Sequence, residues 1–196
     1  MRSAKLPKAG LMLLLCGCLC SIGVRAQNRA MDSGHSVLKI RVFKSGVFSA
    51  FAHNHEIEAP IAEGSVNLST TPSVELRVDA RKLRVRDPEV SANDRADIQK
   101  TMDGPQVLDS AHFPGISFRS TAVESKGDEH WTVRGNLDLH GKTSPIAVEV
   151  TLKDGHYRGS ARLKQHEFGI TPISLAGGTV KVKDEVVVEF DIVLLP

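Results

Sequence analysis

"WTVRGNLDLHGKTSPIAVEVTL", residues 131–152, decides the fold. In its first half Trp131, Val133, Leu137 and Leu139 alternate with Thr132, Arg134, Asn136, Asp138 and His140. After Gly141-Lys142 the alternation resumes, with Ile146, Val148, Val150 and Leu152 set against Glu149 and Thr151. Side chains two apart on an extended chain share a face. Each half therefore reads as a strand with one apolar and one wet face, and the short turn between them favours antiparallel pairing.

The same period runs through "VLKIRVF" (37–43), "VELRV" (74–78) and "EVVVEFDIVLL" (185–195), with further strands expected near 46–57, 62–69, 115–124, 156–166 and 178–183. Turn residues separate them, among them Thr70-Thr71-Pro72, Lys126-Gly127-Asp128, Lys153-Asp154-Gly155 and Gly177-Gly178. One-faced strands joined by short turns predict an all-β antiparallel barrel or sandwich rather than a parallel sheet wrapped in helices. The exception is "SANDRADIQKTM" (91–102), where Ser91 and Asp94 have capping-box spacing and Ile98 and Met102 lie four apart. One short helix is expected there, laid over an end or side of the sheet.

The first 26 of the 196 residues have the pattern of a secretory signal peptide. A basic start (Arg2, Lys5, Lys8) leads into an apolar run too short to span a bilayer, then Val24-Arg25-Ala26. Residues 27–34 are read as an N-terminal tail and 35–196 as one domain, placed in the periplasm or secreted. Cleavage after Ala26 removes four basic residues, so 25 Lys and Arg fall to 21 against 23 Asp and Glu, and the balance gives no argument for nucleic acid. Cys16, Cys18 and Cys20 all lie in the leader, which leaves the domain without a disulfide or thiol nucleophile. A lipid-anchored form through Cys18 is the lesser alternative. No other segment is apolar enough to cross a membrane.

His53 and His55, in "FAHNHEIEAP" (51–60), share a strand face with Phe51 and Ile57. Two imidazoles on one face supply half of a zinc or copper site, but a third ligand is needed, and no spacing ties His35, His112 or His140 to the pair. The reading adopted is hydrogen-bonded histidines at the rim of a core or cavity, with no metal or other cofactor. His140 is expected to organise its turn, and His112, before Phe113-Pro114, to face solvent. No serine lies in a G-x-S-x-G elbow, no glycine-rich phosphate loop is present, and the carboxylates are scattered over wet faces, so a non-enzyme is expected. The basic cluster "ARKLRVR" (80–86) lacks interleaved aromatics, which argues against a nucleic-acid site.

Three segments together carry a resemblance. "VLDSAHFPGISFRSTAV" (107–123) contains a leucine-aspartate pair, Phe-Pro and I-x-F-x-S; "VRGNLDLHGKTSPIAVEV" (133–150) contains G-x-L-x-x-H-G-x-T-x-P; "EFGI" spans 167–170. Over roughly residues 35–194 the chain resembles the YceI-like family, exported lipocalin-like proteins whose studied members enclose a polyisoprenoid in an eight-stranded antiparallel barrel. Many members carry arginine where Gln165 stands.

The resemblance implies a lipocalin-like barrel of about eight strands and one short helix that sequesters or transports a polyisoprenoid or other amphipathic lipid. Inward strand positions then contact the ligand: Leu38, Ile40, Val42, Phe51, Val66 and Leu68 in the first half, and Leu76, Val78, Ile116, Phe118, Val133 and Leu137 beyond. His53 and His55 become polar members of the wall or mouth. A metal-binding protein or enzyme built on those histidines, and an interaction domain with a filled core, remain the rival readings. Self-association leaves no mark in the sequence, so a homodimer stays open.

Overall fold

The computed structural model describes residues 28–45, 54–175 and 180–196. Its strands are β1 (Asn28–Ala30), β2 (Val37–Ser45), β3 (His55–Glu58), β4 (Ile61–Asn67), β5 (Ser73–Asp79), β6 (Arg84–Val85), β7 (Gly115–Gly127), β8 (His130–Leu139), β9 (Lys142–Lys153), β10 (His156–Lys164), β11 (Ser174–Leu175) and β12 (Val180–Val193). They form one curled sheet in the order β1-β4-β5-β7-β8-β9-β10-β12-β2-β3-β6, with β11 beside β12, and every pairing is antiparallel.

Eleven strands along that path, rather than about eight, correct the expected count. The reason is local: three long passes of the chain are each broken in two, and the sequence supplies each break. Between β1 and β2 the Asp32 carboxylate accepts from Gly34 N (3.0 Å) and His35 N (3.2 Å), turning the chain. Between β3 and β4 stands Pro60, which has no N–H to give a ladder. Between β5 and β6, Asp79 caps a single 3-10 turn, Ala80–Lys82, by accepting from Arg81 N at 3.0 Å.

The broken passes also close the sheet. β1 pairs with β4 and β2 with β3, while β3 and β4 pair in turn with β6 and β5. Residues 28–32, which the sequence placed in a tail, belong to this closure: Met31 N donates to Gly64 O (2.8 Å), Asp32 N to Val193 O (2.8 Å), and Leu195 N to Ala30 O (2.9 Å).

At His140-Gly141 and Asp154-Gly155 both central residues have positive φ (54° and 70°; 52° and 80°), the conformation that turns antiparallel strands with their natural twist. The two segments expected near 178–183 and 185–195 are one strand, β12, whose register against β2 shifts between Val182 and Val186.

The helix forms where its caps predict. In α1 (Ala92–Asp103), Ser91 accepts from Asp94 N (3.2 Å) and donates to its carboxylate (2.7 Å). Gln99 fastens the helix to β6, accepting from Val85 N (3.0 Å) and donating to Leu83 O (3.1 Å). Met102 is buried and Ile98 packs against the core. The barrel thus has a turn end, carrying residues 68–72, 128–129 and 154–155, and a helix end beneath α1.

Candidate functional site

The inward faces do not meet across the barrel; they surround a cavity of about 510 Å³. Of the sequence-predicted residues, Leu38, Ile40 and Val42 line it from β2, Val66 and Leu68 from β4 and just beyond, and Leu76 and Val78 from β5. Ile116 and Phe118 on β7 and Val133 and Leu137 on β8 complete the set. Phe51 and His53 lie outside the described residues.

Other lining residues carried the same signal: Val148 and Val150 on β9, and Val188 and Phe190 on β12, occupy apolar positions of alternating strands. Met102, Val107 and Leu108 do not. They come from the helix and the loop after it, where strand parity has no force.

Among the described residues no Asp, Glu, Lys, Arg or His lines the cavity. Glycine lets its rings lie flat on the wall: a Cβ on Gly135 would stand 2.5 Å from the Phe118 ring, and one on Gly159 would stand 2.6 Å from that of Phe190. Its polar contributors are Ser69, Ser73, Trp131, Tyr157 and Gln165.

His55 is not among them. It stands opposite Val42 in the β2–β3 ladder, on the side alternation implies, yet its ring turns to Asp87 and lines a separate pocket of about 300 Å³ with Arg41, Asn54 and Glu89. Nδ1 of His55 donates to Asp87 Oδ2 (2.6 Å), and Glu56 N donates to Oδ1 (2.7 Å). Asp87 is 3% exposed, so these contacts offset the cost of burying its charge. Beside them Arg41, its guanidinium held protonated to higher pH by the Glu189 carboxylate at 2.8 Å, and Glu56, whose carboxylate accepts from Lys39 at 2.8 Å, add two further ion pairs to the pocket.

The three histidines considered as further ligands are engaged elsewhere. His35 binds Asp32 (2.8 Å), exposed His112 binds Asp109 (2.9 Å), and His140 donates to Phe168 O (3.2 Å) beside the Phe113 ring, organising its turn. Among the described residues no group of three or more His, Cys, Asp or Glu is placed to hold a metal ion. Nor, among them, is any helix long and apolar enough to cross a membrane.

Carboxylates whose titration is displaced lie outside the cavity. Asp79 falls to about 2 because the Arg81 side chain binds it, against partial desolvation. For Asp191 desolvation pushes upward, but hydrogen bonds from Arg158 and His156 outweigh it and leave the group low. None of these groups faces a space where it could act on a ligand in the barrel.

Comparison with known proteins agrees with this architecture. A family model described as a YceI-like domain matches residues 30–194. A UPF0312 protein of Pseudomonas savastanoi pv. phaseolicola is 39% identical over 85 residues, 38% of this chain and 44% of its own, so the chain spans less than half the length of that relative. A UPF0312 protein of Vibrio cholerae is 24% identical over 146 residues, 69% of this chain and 72% of its own.

Among solved structures, BcnA of Burkholderia cenocepacia superposes with a TM-score of 0.64 at 18% identity, covering 83% of this chain and 98% of that one. A polyisoprenoid-binding domain from Saccharophagus degradans gives 0.52 at 14% identity, covering 83% and 95%. These likenesses show a shared fold, and the family match over nearly the whole barrel shows that the chain belongs to the YceI-like family.

Proposed function

We propose that the protein is an exported binding protein, periplasmic or secreted, that holds a polyisoprenoid or other long-chain amphipathic lipid inside the barrel. The observation that carries this reading is the cavity of about 510 Å³ with a wall free of charged side chains among the described residues. That volume lies within the range of small-molecule sites, roughly 300–1,000 Å³. Each methylene taken from water into such a wall gains about 0.8 kcal/mol, so a long chain binds through apolar area without any catalytic group. The polyisoprenoid-binding description of the Saccharophagus degradans neighbour supports the same class of ligand. The tail contacts are the eleven predicted residues that line the wall, from Leu38 to Leu137.

Native mass spectrometry of protein purified gently from an exporting host, without denaturant or added metal, tests this. A labile adduct that extracts into organic solvent as a prenyl or other long-chain lipid is the expected result. A chelator-sensitive metal adduct, or protein that stays bare after incubation with long-chain lipids, overturns it.

A further inference from the structure

Among the described residues the polar groups of the cavity are not spread along it. Ser69, Ser73, Trp131 and Tyr157 all sit at the turn end, on the β4–β5 turn and on the first residues of β5, β8 and β10. The fifth, Gln165, lies toward the helix end, and its amide already donates to Lys183 O at 2.8 Å.

Trp131 and Tyr157 are the only tryptophan and the only tyrosine of the chain. Their rings tilt against each other with centroids 6.2 Å apart. Among the described residues the indole N–H and the phenol hydroxyl have no hydrogen-bond partner, and Ser73 makes no side-chain hydrogen bond. Leu68, 38% exposed, lines the cavity at the same end, so the apolar space meets water there. Indole and phenol rings favour such a boundary, with the ring in the apolar phase and the polar atom at its edge.

Resting on the lipid-binding reading above, we infer that the turn end is the headgroup end of the barrel: Trp131 and Tyr157 form a collar of neutral donors for an oxygen of the ligand's head, and the chain points toward α1. Among the described residues no charged side chain shares the cavity wall, so recognition there is by hydrogen bonding rather than ion pairing. The ligand class follows: a long-chain amphiphile whose innermost head atoms are neutral acceptors, such as an alcohol, ester or ether oxygen. Any charge on the head lies beyond the collar, in water. The pocket of His55 and Asp87, at the opposite end, takes no part.

The single tryptophan makes the orientation measurable. Two forms of one saturated long-chain alcohol serve as probes, with a nitroxide beside the hydroxyl or at the terminal methyl, and their binding is established first by native mass spectrometry. The head-labelled form is expected to quench Trp131 fluorescence several-fold more than the methyl-labelled form. Equal quenching, or stronger quenching by the methyl label, with both bound, overturns the orientation and leaves the lipid reading standing. Failure of both probes to bind removes the lipid reading and the orientation with it.

Tyr157→Phe gives a second readout, since it keeps the ring and removes the donor. About fivefold weaker binding of the unlabelled alcohol, with the matching hydrocarbon unchanged, is expected. Equal effects on both overturn the collar's role.

Discussion

The barrel holds two hollows built on opposite principles. In the cavity of about 510 Å³ nearly all neighbours are aliphatic or aromatic, so stability and binding both scale with area removed from water. In the pocket of about 300 Å³ beside His55, Asp87 and Arg41, these three groups and Glu56 are each held in a hydrogen-bonded ion pair, and order comes from those bonds. Both belong to one fold, and they answer different questions: the first has room for a ligand, the second fastens the start of β3 to the chain leaving β6. Substitutions should separate them.

The largest effect is expected in the apolar region. Phe168, 0% exposed, lies in a 3-10 turn (Gln165–Phe168) at the helix end and joins the hydrophobic cluster that surrounds the cavity. Phe168→Ala should cost about 3–5 kcal/mol, measured by chemical denaturation. A loss under about 1 kcal/mol would mean that the cluster collapses into the space and that the wall is less fixed than its packing implies.

Next comes the charged pocket. Asp87→Ala leaves His55 Nδ1 and Glu56 N without their acceptor, at an expected cost of about 1.5–3 kcal/mol. Lipid binding at saturating protein stability should be unchanged, checked by titration with a long-chain alcohol well below the unfolding transition. Loss of binding with an intact fold would break the separation between the two hollows.

A smaller stability effect, with a large functional one, is expected inside the cavity. Val133→Phe places a ring into open space, so stability should move by less than about 1.5 kcal/mol. The longest chain accommodated should shorten, read as the cut-off in a series of alcohols of increasing length. An unchanged cut-off would place the ligand elsewhere.

These tests also mark what the chain reveals before it folds. Alternation in 131–152 identified β8, the turn and β9 because the period of a strand is local, and Ser91 with Asp94 fixed the start of the helix for the same reason. The wall was legible wherever it is strand, as Val133 and Leu137 show. It was not legible where α1 and the loop contribute Met102 and Leu108, because their facing depends on how Gln99 docks the helix on β6. Parity also put His55 on the correct side of its ladder, but its partner Asp87 lies 32 residues away, and no spacing announces that pair. Pro60 was a visible break in the second of these passes, whereas Asp32 and Asp79 became breaks only through the backbone N–H groups they accept.

The smallest effect expected concerns Asp79, on the wet side of the comparison. Its carboxylate binds Arg81 through Nε (2.9 Å) and a terminal nitrogen (2.8 Å) and accepts Arg81 N, which lowers its pKa from the ordinary 3.8 to about 2. A carboxyl lower in the folded than in the unfolded chain binds fewer protons when folded, so its contribution is present above about 3.8 and is lost as pH falls toward about 2. The pair lies at the surface, with Arg81 exposed and Asp79 half-buried, so the acid limb of the stability curve should shift only slightly in Arg81→Gln, while the Asp79 carboxyl itself, followed by NMR, should titrate closer to 3.8. The cavity, whose wall among the described residues has no charged group, should keep its ligand affinity across the same interval as long as the barrel stays folded. A binding curve that tracked the titration of Asp79 would show that the break between β5 and β6 governs the cavity, and the two regions would then be coupled through the closure of the sheet.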